Sequence, residues 1–211
     1  MTGRKAARLY DKLAAAMPAP QSELHFGSPF ELLVAVILSA QATDKSVNLV
    51  TAELFPRCNT PQALLALGLA GLEQAIRRIG LYKTKARNIL AACEMLLARH
   101  GGEVPREREA LEALPGVGRK TANVVLNVAF GAPTIAVDTH VFRVANRTGL
   151  APGKTVRDVE DGLLRITPQR HLQHAHHYLI LHGRYVCKAR QPACPTCVIA
   201  KECEYGAKTV A

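Results

Sequence analysis

The spacing of apolar residues constrains the fold of this 211-residue chain more than any other feature of its sequence. Apolar side chains recur every three or four residues, as in Leu9, Leu13 and Met17, which is the period of an amphipathic helix. Prolines and glycines end these stretches, and none shows the alternation of apolar and polar residues that is typical of a half-buried strand. The sequence therefore predicts an all-α fold.

Capping residues predict where the early helices begin and end. Ser28 followed by Pro29 is typical of a helix N-terminus. The apolar helix that they open runs to about Ala40, and the next helix begins at Thr43. Gln41 therefore lies in a corner between two helices.

Later breaks predict a second corner and two helices that carry reactive residues. The run from Gly80 to Tyr82 interrupts the helical pattern, and a helix follows from Lys83 to Arg99. Lys120 to Phe130 is apolar and helical, and Asp138 is placed to cap a further helix that ends near Thr148. Leu81 thus lies in a corner, as Gln41 does.

The charge of the chain indicates a polyanionic partner. Lysine and arginine number 27 against 17 aspartates and glutamates, so the formal net charge is +10 and the pI is about 9.6. Folded domains this basic typically bind nucleic acid or, less often, anionic membrane. The longest apolar run, Phe30 to Ala40, contains Glu31 and is far shorter than the roughly 20 residues that span a bilayer. We expect a nucleic-acid partner and no membrane partner.

The N-terminus indicates the compartment. Basic residues there are not followed by an apolar region and a cleavage site, so no secretory signal is visible. We expect a cytoplasmic protein that is associated with the nucleoid through DNA. Its six cysteines are then reduced or bound to metal.

Four cysteines are clustered near the C-terminus with the spacing C-x6-C-x2-C-x5-C. Four thiolates suit zinc, and they equally suit an iron-sulfur cluster, so the spacing alone leaves both open. Cys93 lies on an apolar helical face, which favours a core position, and Cys58 has no assigned role. The clustered cysteines are Cys187, Cys194, Cys197 and Cys203.

A glycine-rich hairpin precedes the helix that carries Lys120. Gly116 and Gly118 permit positive φ angles and a close approach of the backbone to another molecule. The next helix begins at about Arg119, so its unpaired amides form a cradle suited to a phosphate. A lone Gly-x-Gly more often marks a plain tight turn between two packed helices.

Lys120 and Asp138 are the candidate reactive groups. A free lysine has a pKa near 10.4, but the helix N-terminus, the neighbouring Arg119 and partial burial would all favour the neutral, nucleophilic amine. Asp138 by itself has a structural explanation, because an aspartate N-cap stabilises a helix by roughly 1 kcal/mol. Its occurrence together with Lys120 favours a catalytic role.

A fainter copy of the hairpin precedes the helix from Lys83. When the two segments are aligned with Gly80 opposite Gly116, Thr84 is opposite Lys120. This alignment predicts a second turn of the same shape that lacks the reactive amine.

The hairpin run Leu-Pro-Gly-Val-Gly-Arg-Lys-Thr-Ala resembles the helix-hairpin-helix DNA-binding signature. The run Val-Asp-Thr-His-Val-Phe-Arg places Asp138 eighteen residues after Lys120, with the spacing found in the endonuclease III family. The resemblance continues through Ser39-Ala-Gln-Ala-Thr-Asp44 to the final cysteines and covers essentially the full chain.

The resemblance implies two α-helical domains with a DNA-binding cleft between them. A six-helix domain with the hairpin would span residues 24–133, and residues 1–23 plus 134–211 would form a discontinuous iron-sulfur domain. The four clustered cysteines would hold one 4Fe-4S cluster, which the family carries at this spacing.

The resemblance also implies a reaction. A bifunctional DNA glycosylase removes oxidised pyrimidines from duplex DNA, and Lys120 would attack C1′ and form a Schiff base. Elimination would then cleave the strand 3′ to the abasic site, while Asp138 steadies the charge on the sugar or helps to deprotonate Lys120. We expect a monomer whose partner is damaged double-stranded DNA.

Further residues are expected to contact DNA. The reacting atom is inaccessible in a stacked duplex, so the nucleotide has to be extruded and the gap filled. By resemblance Gln41 and Leu81 fill it, one by hydrogen bonding to the orphaned base and one as an apolar wedge. The remaining expected contacts are Gly116, Gly118, Arg119, His140, Arg143, Lys188 and Arg190.

Two alternative functions remain at this stage. Adenine and mismatch glycosylases resemble the chain but lack the hairpin lysine, and the adenine enzymes carry a catalytic glutamate where this chain has about Val36. A non-catalytic DNA-binding module would need only the hairpin and the charge. The presence of both Lys120 and Asp138 favours a bifunctional enzyme.

Overall fold

The structure, a computed structural model, describes residues 1–209 and confirms the predicted all-α fold. Within this range there are ten α-helices, one 3-10 turn and no strand. No helix in it combines the length and the apolar composition that crossing a membrane requires. The helices are α1 Gly3–Ala16, α2 Pro29–Leu38, α3 Asp44–Leu54, α4 Pro61–Ala75, α5 Tyr82–His100, α6 Arg108–Glu112, α7 Arg119–Phe130, α8 Thr139–Thr148, α9 Val156–Ile166 and α10 Gln169–Tyr185, and the 3-10 turn is Cys194–Thr196.

The predicted caps account for the helix boundaries nearest the candidate site. The Ser28 side chain accepts a hydrogen bond from the Glu31 amide, with Pro29 in the first turn of α2. The Asp138 side chain caps α8 in the same way. Each cap satisfies an amide that the helix itself leaves unpaired.

The chain forms two compact units, residues 22–131 and residues 1–21 with 132–211. The expected boundary, residues 24–133, differs from the observed one by two positions at each end. The unit of residues 22–131 contains α2 to α7. Its central element is α2, which is buried from Phe30 to Leu38 except for the half-buried Glu31 and packs against α5 and α7.

The other unit joins the two ends of the chain. Helix α1 packs against α10, and Leu9 and Leu13 belong to a core that also includes Ile199 from the C-terminal segment. At the rim, Lys12 Nζ lies 2.8 Å from a carboxylate oxygen of Glu202. The N-terminal helix therefore supports the segment that carries the four clustered cysteines.

Candidate active site and DNA-contacting elements

Gly116 is required by the packing of its own unit. Its φ is +80°, a left-handed conformation that other residues adopt at a cost. A Cβ at this position would also meet the Cβ of Asn88 on α5 at 3.0 Å. The flanking residues Leu114 and Val117 are buried. The hairpin is therefore held closely against α5.

Gly118 differs from the expectation of a positive φ. It has φ −98° and ψ 178°, an extended conformation open to any residue, and a Cβ here would meet nothing within 4 Å. The packing of the protein alone does not require this glycine. Gly118 is the N-cap of α7 and has no side chain to cover the first amides of that helix, which leaves room for an anion to approach them.

Lys120 is the second residue of α7, and its side chain is exposed. The expectation that partial burial would help to dehydrate this amine is wrong for the protein by itself. Arg119 precedes it, with a guanidinium nitrogen 3.8 Å from a carboxylate oxygen of Glu112. Lys120 thus lies at the surface, in the first turn of the helix that Gly118 caps without a side chain.

Asp138 is half-buried and is the N-cap of α8. Its Oδ1 accepts hydrogen bonds from the amides of His140 at 2.9 Å and Val141 at 2.8 Å. Both bonds use the same oxygen, so Oδ2 takes no part in the cap. Asp138 belongs to the unit of residues 1–21 and 132–211, whereas Lys120 belongs to the other, and their joint action remains a prediction.

Gln41 and Leu81 occupy the two predicted corners with unusual backbone conformations. Their φ angles are +55° and +59°, and both side chains are exposed, Leu81 by 61%. A residue that is neither glycine nor asparagine is uncommon in this conformation. The corners are also neighbours, because a Cβ on Gly80 would lie 3.9 Å from the carbonyl oxygen of Gln41.

The second turn is not the copy of the hairpin that the sequence alignment predicts. The positive φ falls on Leu81 and not on Gly80. Helix α5 begins directly after Leu81, whereas two residues separate Gly116 from the start of α7. The two segments therefore share composition but not backbone geometry.

The four clustered cysteines line one small cavity. All four are half-buried, and none is in a disulfide. Burial raises the pKa of Cys197 and of Cys203, and the negative charge of neighbouring thiolates acts in the same direction. Among residues 1–209, no three His, Cys, Asp or Glu side chains are arranged to bind a single metal ion. Cys58 and Cys93 lie elsewhere and are buried, as expected for Cys93.

Arg147 supports the loop between the first two clustered cysteines, a role that the sequence did not suggest. Its guanidinium donates to the carbonyl oxygens of Lys188 at 2.6 Å and Ala189 at 2.8 Å, and it lies 3.8 Å from Cys187 Sγ. The side chains of Lys188 and Arg190 are exposed. A signal was present, since Arg147 lies one helical turn after Arg143 on the same face of α8.

Arg143 has protein partners of its own. Its guanidinium donates to the carbonyl oxygens of Gly183 at 2.7 Å and Cys187 at 3.0 Å, at the C-terminal end of α10. His140 is half-buried, and a Cβ on Gly183 would meet the His140 Cβ at 2.9 Å. Both residues join α8 to α10, and their contacts with DNA remain predictions.

Comparisons with known proteins identify the family. The family model described as HhH-GPD superfamily base excision DNA repair protein matches residues 34–169. The chain is 58% identical to endonuclease III of Escherichia coli strain K12 over 208 residues, with 99% of each chain covered. It is also 58% identical to endonuclease III of Haemophilus influenzae over the same length and coverage.

Solved structures agree with these relatives. A trapped covalent intermediate of endonuclease III and DNA and a non-covalent endonuclease III–DNA complex each match with a TM-score of 0.91 and 49% identity, covering 97% of this chain and 96% of theirs. A thermostable thymine-DNA glycosylase, 23% identical with a TM-score of 0.86, shares the fold. The chain belongs to the endonuclease III family of the HhH-GPD superfamily, the base excision repair enzymes with DNA glycosylase and AP lyase activity.

Proposed function

We propose that this glycosylase and AP lyase removes oxidised pyrimidines from damaged double-stranded DNA, with Lys120 as its nucleophile. The observation that carries the proposal is an exposed lysine in the first turn of a helix whose glycine cap leaves the neighbouring amides uncovered. The endonuclease III structure described as a trapped covalent intermediate with DNA is what a lysine nucleophile leads us to expect. The adenine-type and non-catalytic alternatives are not favoured by these relatives.

In the proposed reaction, the Lys120 amine forms a bond to C1′ while the bond between C1′ and the damaged base breaks. The base leaves with a proton, the sugar ring opens, and a protonated Schiff base remains on Lys120. Loss of a proton from C2′ then expels the 3′ phosphate and cleaves the strand. Water hydrolyses the remaining imine and frees the lysine for another turnover.

Dehydration of the Lys120 amine is then a property of the complex with DNA. The amine is exposed in the protein, so the DNA that covers it would remove water from it. The attack on C1′ needs the unprotonated amine, because only that form has a lone pair to donate.

Asp138 supplies the carboxylate of the proposed reaction. Oδ1 is held by two amides, which fixes the side chain, and Oδ2 is outside that cap. A carboxylate fixed in this way can stabilise positive charge on the sugar or accept the proton that Lys120 loses. The same residue thus combines a structural and a catalytic role.

We propose that Cys187, Cys194, Cys197 and Cys203 hold one 4Fe-4S cluster, which the endonuclease III family carries. The family relationship and the cavity that the four cysteines line support this. Zinc also binds four thiolates, so the choice of iron and sulfur rests on the family relationship. The cluster would stabilise the cysteine segment, so that residues 1–23 plus 134–211 act as the iron-sulfur domain.

The proposed DNA contacts divide into two kinds. Gln41 and Leu81 replace the extruded nucleotide, for which exposure on neighbouring corners suits them. The uncovered amides after Gly118 and the exposed side chains of Lys188 and Arg190 bind phosphates.

A substrate panel tests the proposal. Labelled duplexes contain an abasic site, thymine glycol, or adenine opposite oxidised guanine, and each is incubated with and without borohydride. We expect cleavage and trapping on the first two duplexes only. Release of adenine from the third without strand cleavage would contradict the proposal and favour a monofunctional adenine glycosylase.

A further inference from the structure

We propose that Lys85 is a positioning residue that holds the Gln41 and Leu81 corners together as one preassembled wedge. The inference rests on the proposed role of these two residues in filling the gap left by an extruded nucleotide. Lys85 itself is not expected to contact DNA, because its side chain is only 5% exposed.

The Lys85 ammonium group binds the segment that leads into the first corner. Its Nζ donates to the carbonyl oxygen of Leu38 at 2.8 Å and to that of Ala40 at 2.6 Å. These carbonyls lie at and just beyond the C-terminal end of α2, where a helix leaves its last carbonyls unpaired and carries a partial negative charge. One side chain therefore fixes the backbone on the N-terminal side of Gln41.

The backbone of Lys85 belongs to the second corner. Its amide donates to the carbonyl oxygen of Leu81 at 3.0 Å, in the first turn of α5. Leu81 provides no side-chain cap for this helix. Lys85 thus joins the first turn of α5 to the segment before Gln41, and the 3.9 Å between a Cβ on Gly80 and the Gln41 carbonyl oxygen shows that the two corners are adjacent.

Both corners need this support because each adopts an unfavourable conformation. A non-glycine residue with positive φ costs roughly 1–2 kcal/mol, and Gln41 and Leu81 both have it. Glycine would remove the cost, but it would also remove the side chains that are to enter the DNA. The two side-chain hydrogen bonds from Lys85 stabilise the segment before Gln41 and anchor it to the helix that follows Leu81, while both corner side chains stay exposed.

The burial of a charge at this position is itself informative. Removing an ammonium group from water is unfavourable unless hydrogen bonds replace the lost hydration, and burial lowers the pKa of Lys85. A methionine would fill a similar space without that cost. The lysine is therefore better explained by its hydrogen bonds than by packing alone.

A wedge that is already ordered has a defined consequence for the reaction. Replacing a base in the stack then requires little further ordering of the protein, which favours the extruded state. The chemistry at the sugar does not depend on the wedge. Loss of Lys85 should therefore slow the reaction on duplex DNA. It should leave the rate on single-stranded DNA, which has no base stack to be filled, almost unchanged.

The test compares Lys85→Met with the unchanged protein on two abasic substrates. One is a duplex, and the other is the same abasic strand without its complement. Under single-turnover conditions we expect cleavage of the duplex to slow by about tenfold or more, equivalent to about 1.4 kcal/mol, and cleavage of the single strand to change little. An equal loss on both substrates, or no loss on the duplex, would overturn the proposal.

Three further variants make the test specific. Lys83→Met removes a charge from an exposed position on the same helix, and we expect it to leave the duplex-to-single-strand ratio unchanged. Lys85→Gln keeps a hydrogen-bond donor and serves if Lys85→Met does not fold, with a smaller loss expected on the duplex only. In a Gln41→Ala, Leu81→Ala protein, Lys85→Met should cause no additional loss, and an additional loss would contradict action through the corners.

The same variants separate this inference from the proposed function. If Gln41→Ala, Leu81→Ala alone left the duplex-to-single-strand ratio unchanged, the gap-filling role itself would be wrong. If that pair lowered the ratio and Lys85→Met did not, the gap-filling role would stand and the positioning role would be wrong.

Discussion

Two turns in the same unit lead into long helices, and each has a residue of positive φ four positions before a lysine. In the hairpin the pair is Gly116 and Lys120, and in the other turn it is Leu81 and Lys85. The lysines nevertheless have opposite surroundings, since Lys120 is exposed and Lys85 is buried with two carbonyl partners.

The difference arises from where each helix begins. Leu81 is itself the cap of α5, so Lys85 lies one turn into that helix and faces α2. The hairpin inserts two residues between Gly116 and the start of α7, so Lys120 falls in the first turn. One turn therefore fixes a side chain inside the protein, and the other presents an amine at the surface.

The largest effect is expected from replacing Lys120, because only this lysine takes part in the proposed reaction. Lys120→Gln should abolish strand cleavage and borohydride trapping, a loss of about 10³-fold or more, because Lys120 supplies the amine in the proposed reaction. Gel analysis of trapped complexes on abasic single strands measures it. Lys85→Gln is the matched control and should retain trapping on that substrate. A Lys120→Gln protein that still forms the adduct would show that another amine reacts.

A smaller effect is expected at Asp138, the carboxylate that we propose acts with Lys120. Asp138→Asn should lower turnover about 100-fold, as loss of a proton acceptor typically does, while duplex affinity stays within about twofold because asparagine also caps helices. Single-turnover kinetics measure the turnover, and binding to a duplex with an uncleavable abasic analogue measures the affinity. Asp138→Ala should add a loss of stability of about 1 kcal/mol from the missing cap. Full activity of the Asp138→Asn protein would show that Asp138 has no catalytic role.

The smallest expected effect tests the hairpin that places Lys120 at the surface. Gly116→Ala should lower the free energy of unfolding by about 2 kcal/mol, because of the positive φ and the contact with Asn88. Gly118→Ala should lower it by less than about 1 kcal/mol, the cost of a poorer N-cap residue, and should also weaken binding to duplex DNA. Urea denaturation measures the free energy of unfolding of both variants, and fluorescence anisotropy measures their affinity for duplex DNA. Equal destabilisation by both variants would mean that Gly118 is a packing residue.

Local signals in the sequence predicted much of this arrangement. Ser28 and Asp138 cap their helices by accepting hydrogen bonds from amides three residues further along the chain. Contacts this local can be inferred from neighbouring residues in the sequence. The exposed Gln41 and Leu81 corners also follow from breaks between helices. Backbone angles do not follow in the same way, so the alignment of Gly80 with Gly116 gave the wrong geometry for the second turn.

Long-range contacts account for what the sequence did not reveal. Lys85 binds carbonyls more than forty residues away along the chain, and Arg147 binds the loop at Lys188 and Ala189 at a similar separation. Backbone carbonyls are present at every position, so the sequence carries no sign of which ones a cation will reach. The exposure of Lys120 has the same origin, because it depends on what packs around α7.

Mapping the covalent bond between protein and DNA tests the central claim most directly. The protein is trapped on abasic DNA with borohydride, the DNA is digested, and the modified peptide is sequenced by mass spectrometry. We predict that the reduced sugar remnant is attached to Nζ of Lys120. A remnant attached to Lys85, to another lysine or to the N-terminal amine would contradict the account.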